Sequence, residues 1–140
     1  MENVGAKVIK TLGAIAVLTI LLLVAYTWLV LSWSYSSGER AGYVQKFSYK
    51  GWLCKTWEGE MALVSMPGTV AEKFYFTVRD DQLAKRINKS IGQRVALSYE
   101  QHIGVPSTCF GDTQYFISDI KVVDEPGFMP KVTAPALPKP

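Results

Sequence analysis

The sequence is poor in the residues from which metal sites and covalent catalysts are most often built. Its 140 residues include one histidine, His102, and two cysteines, Cys54 and Cys109. These three residues lack the close pair spacing of a zinc knuckle, so we expect no metal site. The glycine-rich phosphate-binding motifs and the Gly-x-Ser-x-Gly nucleophile motif are also missing. We therefore expect no cofactor and no enzymatic activity.

The chain also lacks the excess of positive charge that is typical of nucleic-acid-binding proteins. Lys7, Lys10 and Glu2 precede a long apolar segment, and the rest of the chain carries 13 basic and 11 acidic residues, a net charge of +2. An electrostatic nucleic-acid binder normally shows a basic face or stripe. We therefore expect no nucleic-acid partner, and single-strand binding by aromatic stacking is kept only as a third functional hypothesis.

The apolar segment itself contains no charged residue between positions 11 and 38, and residues 12–31 are almost entirely apolar. About twenty such residues form roughly 30 Å of helix, which matches the thickness of a hydrocarbon core. The sequence predicts a transmembrane helix over residues 11–34, preceded by an N-terminal tail at 1–10. A cleaved signal peptide is the alternative, although its apolar region usually has only about 7–15 residues.

Residues suited to the membrane–water interface flank the predicted helix. Aromatic rings and lysine side chains favour the headgroup region. We expect six residues to act as interface anchors: Lys7, Lys10, Tyr26, Trp28, Trp33 and Tyr35. The lipid bilayer is then one partner of the chain. Because a short N-terminal tail is simpler to retain inside the cell, we expect the C-terminal domain on the outer side of the membrane.

After a predicted linker at 35–39, the pattern changes to short alternating segments rich in aromatic and β-branched residues. Such segments are typical of β-strands. The sequence predicts five strands, at residues 40–49, 53–66, 72–79, 93–102 and 114–124. In the third strand, the alternation places Phe76 on the inner face and Thr77 on the outer face.

Between the third and fourth strands, Asp80 and Gly92 bracket a short amphipathic helix. Its apolar stripe is expected to close one end of the domain with three residues: Leu83, Ile87 and Ile91. The element order β1-β2-β3-α-β4-β5 is that of the OB-fold. We therefore predict one N-terminal transmembrane helix plus a mainly-β domain at 40–124, folded as a five-stranded OB-fold-like barrel. An SH3-like barrel and an open sheet with one helix are the alternatives.

The remaining residues, 125–140, hold five of the seven prolines. Because proline removes a backbone donor and restricts φ, this composition disfavours both helix and sheet. The sequence predicts an extended, proline-rich tail.

The two cysteines leave two possibilities open. In an oxidising compartment, Cys54 and Cys109 could form a disulfide that closes a loop of about 55 residues and contributes about 4 kcal/mol. Otherwise, they are two separate small core residues.

Aromatic and acidic residues are concentrated at positions 51–60, which hold two tryptophans and two glutamates. We expect a recognition face on the first three strands, formed by six residues: Tyr43, Tyr49, Trp52, Trp57, Glu58 and Glu60. The alternative places Trp57 in the core and Trp52 over a hairpin. It leaves Glu58 and Glu60 on a solvated strand face, paired with Lys46, Lys50 or Lys55.

Four sequence segments carry a resemblance: SSGERAGYVQKFSYKGWLCKTWEGEM, YFTVRDD, VALSYEQ and CFGDTQYF. Over residues 35–124 the chain resembles a group of small single-helix bacterial membrane proteins of unknown function with a GWLCKTWEGE-type motif. A few of them carry a 6-phosphogluconate dehydrogenase label. The resemblance implies a bacterial membrane setting. Together with the short N-terminal tail, this setting leads us to expect a single-pass protein of the bacterial inner membrane, with the N-terminus in the cytoplasm and the domain in the periplasm. The dehydrogenase label is unsupported here, because the dinucleotide-binding fingerprint is missing.

Together, these observations favour a non-enzymatic interaction module. We expect an accessory or scaffold subunit that docks on a membrane or envelope protein complex. The second hypothesis is a barrel that binds or senses a small molecule or an oligosaccharide, which requires an open concave face around Tyr43, Trp52 and Trp57.

Overall fold

An apolar N-terminal helix and a five-stranded sheet make up the computed structural model, which describes residues 3–64 and 68–123. Helix α1 runs over Val4–Ser32, and none of its residues is buried. It is long and apolar enough to cross a membrane, as predicted. It begins earlier than residue 11 and is roughly 43 Å long, so its first turns, with Lys7 and Lys10, exceed a hydrocarbon core of about 30 Å.

The remaining elements follow in the predicted order. They are strands β1 (Ser36–Lys50), β2 (Thr56–Leu63) and β3 (Lys73–Val78), helix α2 (Asp81–Lys89), and strands β4 (Arg94–Gln101) and β5 (Tyr115–Val122). All five strands form one sheet that closes into a ring in the order β1-β2-β3-β5-β4. Four pairs are antiparallel, and a parallel pairing of Thr77 with Phe116 joins β3 to β5.

Strand β1 is long because it pairs with two neighbouring strands, β4 and β2. Its first half pairs with β4, from Ser36 opposite Gln101 onward, and its second half pairs with β2 up to Lys50 opposite Thr56. Residues 36–39, predicted as part of a linker, therefore belong to the sheet. At the crossover, a Cβ on Gly42 would lie 2.2 Å from the Ala62 carbonyl oxygen, so only glycine fits. The predicted tail at 125–140 lies outside the described residues.

The interior of the ring is apolar, and α2 closes one end of it. Asp80 caps the helix as predicted, accepting hydrogen bonds from the backbone N–H groups of Gln82 and Leu83. Leu83 and Ile87 are buried, but the prediction for Ile91 is wrong, since 41% of it is exposed. The helix ends at Lys89, so Ile91 lies outside the helical stripe. The buried core comprises Val44, Met61, Phe74, Phe76, Val78, Leu83, Ala84, Ile87, Val95, Leu97, Ile117 and Ile120.

Candidate functional site

A disulfide joins the two loops that follow β1 and β4. Cys54 lies in the β1–β2 loop at 51–55 and Cys109 in the β4–β5 loop at 102–114, with an S–S distance of 1.99 Å and a Cα–Cα distance of 4.9 Å. The first loop turns tightly: Gly51 has φ +145°, and a Cβ there would lie 1.7 Å from the Cys54 carbonyl oxygen. Glycine is therefore required for the turn that brings Cys54 to Cys109.

Two large apolar side chains project from this disulfide-bonded loop. Trp52 is 100% exposed and Leu53 is 88% exposed. We refer to this pair as the Trp52–Leu53 tip. The backbone that carries it is restrained on one side by the β1 end and on the other by the disulfide. The tip therefore presents apolar surface to solvent on a short loop that a disulfide ties to the β4–β5 loop.

The second tryptophan of the segment lies in a different environment. Trp57 stacks on Phe47 at 5.2 Å and contacts Tyr49 at 4.7 Å between ring centroids, and its indole N–H donates to Asp81 at 2.9 Å. It is therefore a half-buried structural residue that joins β2 to the start of α2. The surrounding cleft has a volume of about 280 Å³ and includes Lys55 and Arg79 in its lining.

Glu58 is buried and fully engaged. Its Oε1 accepts hydrogen bonds from the Thr56 hydroxyl at 2.7 Å and the Asp112 backbone N–H at 3.0 Å. Its Oε2 accepts one from the Thr77 hydroxyl at 2.8 Å. Only 6% of Glu58 is exposed, so the expectation of a solvated strand face is wrong for this residue. The β4–β5 loop covers it, which also buries the outward-facing Thr77.

Salt bridges on the same outer face hold the strands and this loop. Lys50 contacts Asp112 at 2.7 Å, and Lys73 contacts Glu60 at 2.6 Å. The hydrogen bond to Asp112 raises the pKa of Lys50, and the one to Glu60 raises the pKa of Lys73. Glu60 therefore pairs with a lysine on β3 rather than with Lys46, Lys50 or Lys55. The pocket between the two glutamates has a volume of only about 90 Å³.

A second set of contacts joins α1 to the sheet. His102 is buried, and its Nδ1 lies 3.0 Å from the carbonyl oxygen of Val30 and 3.1 Å from that of Trp33. Both neighbours are acceptors, so Nδ1 carries the proton and donates. Such a donor satisfies carbonyl groups that the last turn of a helix leaves without partners. The other ring nitrogen, Nε2, lies 3.6 Å from a Glu100 carboxylate oxygen.

Two further hydrogen bonds reinforce this junction. The Tyr35 backbone N–H donates to the Gln101 carbonyl oxygen at 2.8 Å, and the Tyr26 hydroxyl donates to the Gly104 carbonyl oxygen at 3.0 Å. The start of the β4–β5 loop is thus held against the C-terminal part of α1.

At the end of the strand ring opposite α2, an arginine side chain lies among aromatic side chains. The Arg40 guanidinium carbon lies 4.7 Å from the Phe74 ring centroid, 5.8 Å from that of Tyr99 and 6.0 Å from that of Tyr115. Such cation–π contacts stabilise a partly buried cation. A pocket of about 310 Å³ opens beside it.

Residues 33–126 match a protein family described as a domain of unknown function, DUF8785. The chain belongs to this family. No curated protein and no solved structure gives a significant match to the chain. The DUF8785 domain therefore covers the whole ring of strands and begins directly after α1.

The predicted recognition residues of the DUF8785 domain are not brought together. Glu58 and Glu60 lie on the outer face of β2, whereas Trp57 is adjacent to Glu58 in the strand and therefore points to the opposite face. There it contacts Tyr49 and stacks on Phe47. Tyr43 is 38% exposed, and it pairs with Ala62 and Arg94 at the β1 crossover, away from Trp52. Of these six residues, all of which the structure describes, Trp52 alone is fully exposed.

Sequence reasoning missed two residues that matter in the DUF8785 domain. Leu53 accompanies Trp52 at the tip, and an apolar pair inside a turn bounded by Gly51 and Cys54 could have indicated this. His102 was considered only as a metal ligand, and no local signal indicates that it caps a helix about seventy residues earlier. Among residues 3–64 and 68–123, no three His, Cys, Asp or Glu side chains cluster as a metal site would require.

Proposed function

We propose that the chain is a membrane-anchored, non-enzymatic interaction module that inserts the Trp52–Leu53 tip into an apolar pocket of a membrane or envelope protein partner. The observation that carries the proposal is the exposure of two large apolar side chains on a loop closed by a disulfide. Tryptophan is strongly enriched among residues that dominate binding energy at interfaces. A loop that is already ordered loses little conformational entropy on binding.

Three features support the setting of this module. Helix α1 is almost entirely apolar over residues 12–31 and none of its residues is buried in the protein, as a membrane anchor requires. The strand order of the ring, with α2 between β3 and β4, supports an OB-like barrel. Disulfides persist in oxidising compartments, so the Cys54–Cys109 bond supports a periplasmic domain with the N-terminus in the cytoplasm.

The charge beside the tip indicates the chemistry of the partner. Lys55 follows the tip by two residues and lies 6.0 Å from the Tyr49 ring centroid. Among the described residues, it makes no ion pair within 4.0 Å. A partner with an apolar pocket and an acidic rim would complement this surface, since rim charges contribute mainly to association rate and specificity.

Affinity capture of tagged full-length protein from mild detergent tests the proposal. A partner should be recovered in stoichiometric amount with the native chain and lost with the double variant Trp52→Ser/Leu53→Ser. Val70→Ser is a matched control, because Val70 is 96% exposed in the β2–β3 loop. Equal recovery with the tip variant and the control, or a clean monomer in several mild detergents, would overturn the proposal.

The cleft beside Trp57 favours a second candidate, a small-molecule or oligosaccharide-binding domain. Its lining combines the half-exposed Tyr49 ring with Lys55 and Arg79, in a volume of about 280 Å³. Aromatic faces and a few placed polar groups are typical of ligand pockets. Tyr49→Ala should abolish binding of a saccharide ligand if this candidate holds and leave partner capture unchanged if the tip is the site.

A further inference from the structure

The β4–β5 loop reaches back along α1 to a level well before the end of that helix. The Tyr26 hydroxyl donates to the Gly104 carbonyl oxygen at 3.0 Å, and α1 continues to Ser32. Six residues of α-helix correspond to about 9 Å along the helix axis. The turn around Gly104 therefore lies beside the last two turns of α1 rather than beyond its end.

This turn is uncharged. Residues 103–106 read Ile-Gly-Val-Pro, and Ile103 is 49% exposed. Ile103 and the end of α1 enclose a groove of about 210 Å³ whose lining is otherwise formed by Leu29, Val30, Trp33 and Tyr35. The groove contains no charged side chain, and it is continuous with the exposed apolar surface of α1.

Three polar groups of this junction are satisfied within the protein: the Nδ1–H of the His102 ring, the His102 backbone N–H and the Gly104 carbonyl oxygen. His102 donates to the carbonyl oxygens of Val30 and Trp33, and its backbone N–H donates to the Gln114 carbonyl oxygen at 2.9 Å. Tyr26 satisfies the Gly104 carbonyl. Unsatisfied backbone groups are costly in a low-dielectric environment. The turn can therefore enter such an environment without leaving these groups unpaired.

We propose that the turn at residues 103–106 is a second membrane contact, and that the groove between Ile103 and α1 accommodates lipid. This inference rests on the proposed membrane anchoring of α1. If residues 12–31 fill the hydrocarbon core, Tyr26 lies about 7–8 Å inside its edge. The turn that Tyr26 holds then reaches past the headgroups into the outer part of the acyl-chain region. The domain is seated against the bilayer in one orientation, with the loop and α1 as two adjacent contacts.

Site-specific photo-crosslinking tests the contact. The full-length chain, with p-benzoyl-phenylalanine in place of either Ile103 or Ile91, is reconstituted in lipid nanodiscs and irradiated, and adducts are identified by mass spectrometry. Ile91 is a matched control: it is the same residue type, it is 41% exposed, and it precedes the opposite end of β4. We expect lipid adducts at position 103 and none above background at position 91.

A second measurement does not depend on crosslinking chemistry. A trifluoromethyl-phenylalanine at position 103 should show strong relaxation enhancement from nitroxide-labelled lipid headgroups, and the same label at position 91 should show none. Equal signals at the two positions, or protein adducts instead of lipid adducts at 103 in native membranes, would overturn the inference. Co-flotation of the chain with the nanodiscs shows separately whether α1 anchors the chain to the bilayer. Failure to capture a partner through the Trp52–Leu53 tip would count against the proposed function and not against this membrane contact.

Discussion

The two ends of the β4–β5 loop are held by different means. Near its start, His102 and Gly104 are joined to α1 by hydrogen bonds alone. Further along, a disulfide joins Cys109 to the β1–β2 loop, and Asp112 is joined to β1 and β2 by its salt bridge with Lys50 and its hydrogen bond to Glu58. The first end meets the helix that we propose to lie in the membrane, and the second supports the exposed tip. A covalent bond holds in water, whereas a few hydrogen bonds hold best where water is excluded.

Of the changes considered at the two ends of the loop, removing the disulfide should lower the free energy of unfolding most. For the variant Cys54→Ser/Cys109→Ser we expect the free energy of unfolding to fall by about 4 kcal/mol, because a closed loop of 55 residues is lost. Guanidinium unfolding of the full-length chain in detergent measures it. The reduced native chain is the control and should behave as the variant does. A loss below about 1 kcal/mol would show that noncovalent contacts alone hold this end.

Substitution of Glu58 tests how much the hydrogen bonds at the Cys109–Asp112 end of the loop contribute to stability. Glu58→Ala leaves the Asp112 backbone N–H and two threonine hydroxyls without their acceptor, and we expect a loss of about 3 kcal/mol. Glu58→Gln should cost less, since it keeps one acceptor oxygen. The control Glu60→Gln removes a partly exposed salt bridge and should cost less than about 1 kcal/mol. Equal losses for Glu58→Ala and Glu60→Gln would contradict a buried role for Glu58.

Substitution of His102 tests the attachment of the start of the β4–β5 loop to α1. His102→Phe keeps a ring of similar size but leaves the carbonyl oxygens of Val30 and Trp33 without a side-chain donor, and we expect a loss of about 2 kcal/mol. Hydrogen exchange should increase at residues 100–106 and remain unchanged around Cys109. His102→Asn, which keeps a donor, should retain part of the protection. Uniform exchange changes across the whole loop would contradict two independent attachments.

A pH titration should produce the smallest effect, through the two carboxyl groups outside the loop whose pKa values are lowered. The hydrogen bond from Lys121 lowers the pKa of Glu39. The pKa of Asp119 is lowered mainly by a hydrogen bond from the Ile120 backbone N–H and, to a smaller extent, by the hydrogen bond from Arg86. A carboxyl with a lowered folded pKa contributes stability that is present above its unfolded pKa, about 4, and is lost as pH falls through the folded value.

The free energy of unfolding should therefore decrease slightly below pH 4, and added salt should reduce the effect, because both groups are exposed. Unfolding curves between pH 7 and pH 3 would measure it. The variant Glu39→Gln/Asp119→Asn should show a flatter dependence than the native chain. The same dependence in both would assign the acid sensitivity to other groups.

Part of this architecture was predictable because its signals are local. The uncharged run indicated α1, the period-two alternation indicated the strands, and Asp80 with Gly92 bracketed α2. The first strand was predicted at residues 40–49, but the assignment of residues 35–39 as a linker missed its first four residues. Ser36 and Ser37 pair with β4, yet they are not the aromatic or β-branched residues that are typical of strands. The burial of Glu58 was also missed, because the loop that covers it comes more than forty residues later in the chain.

The sequence by itself determined that an apolar helix precedes a small strand-rich domain, because helix length, hydrophobicity and side-chain alternation are properties of neighbouring residues. Only the tertiary structure decided which distant groups meet: Cys54 with Cys109, Glu58 with Asp112, and His102 with the end of α1. These contacts depend on how the ring closes and where its loops fold back. That closure brings together residues that no local pattern relates.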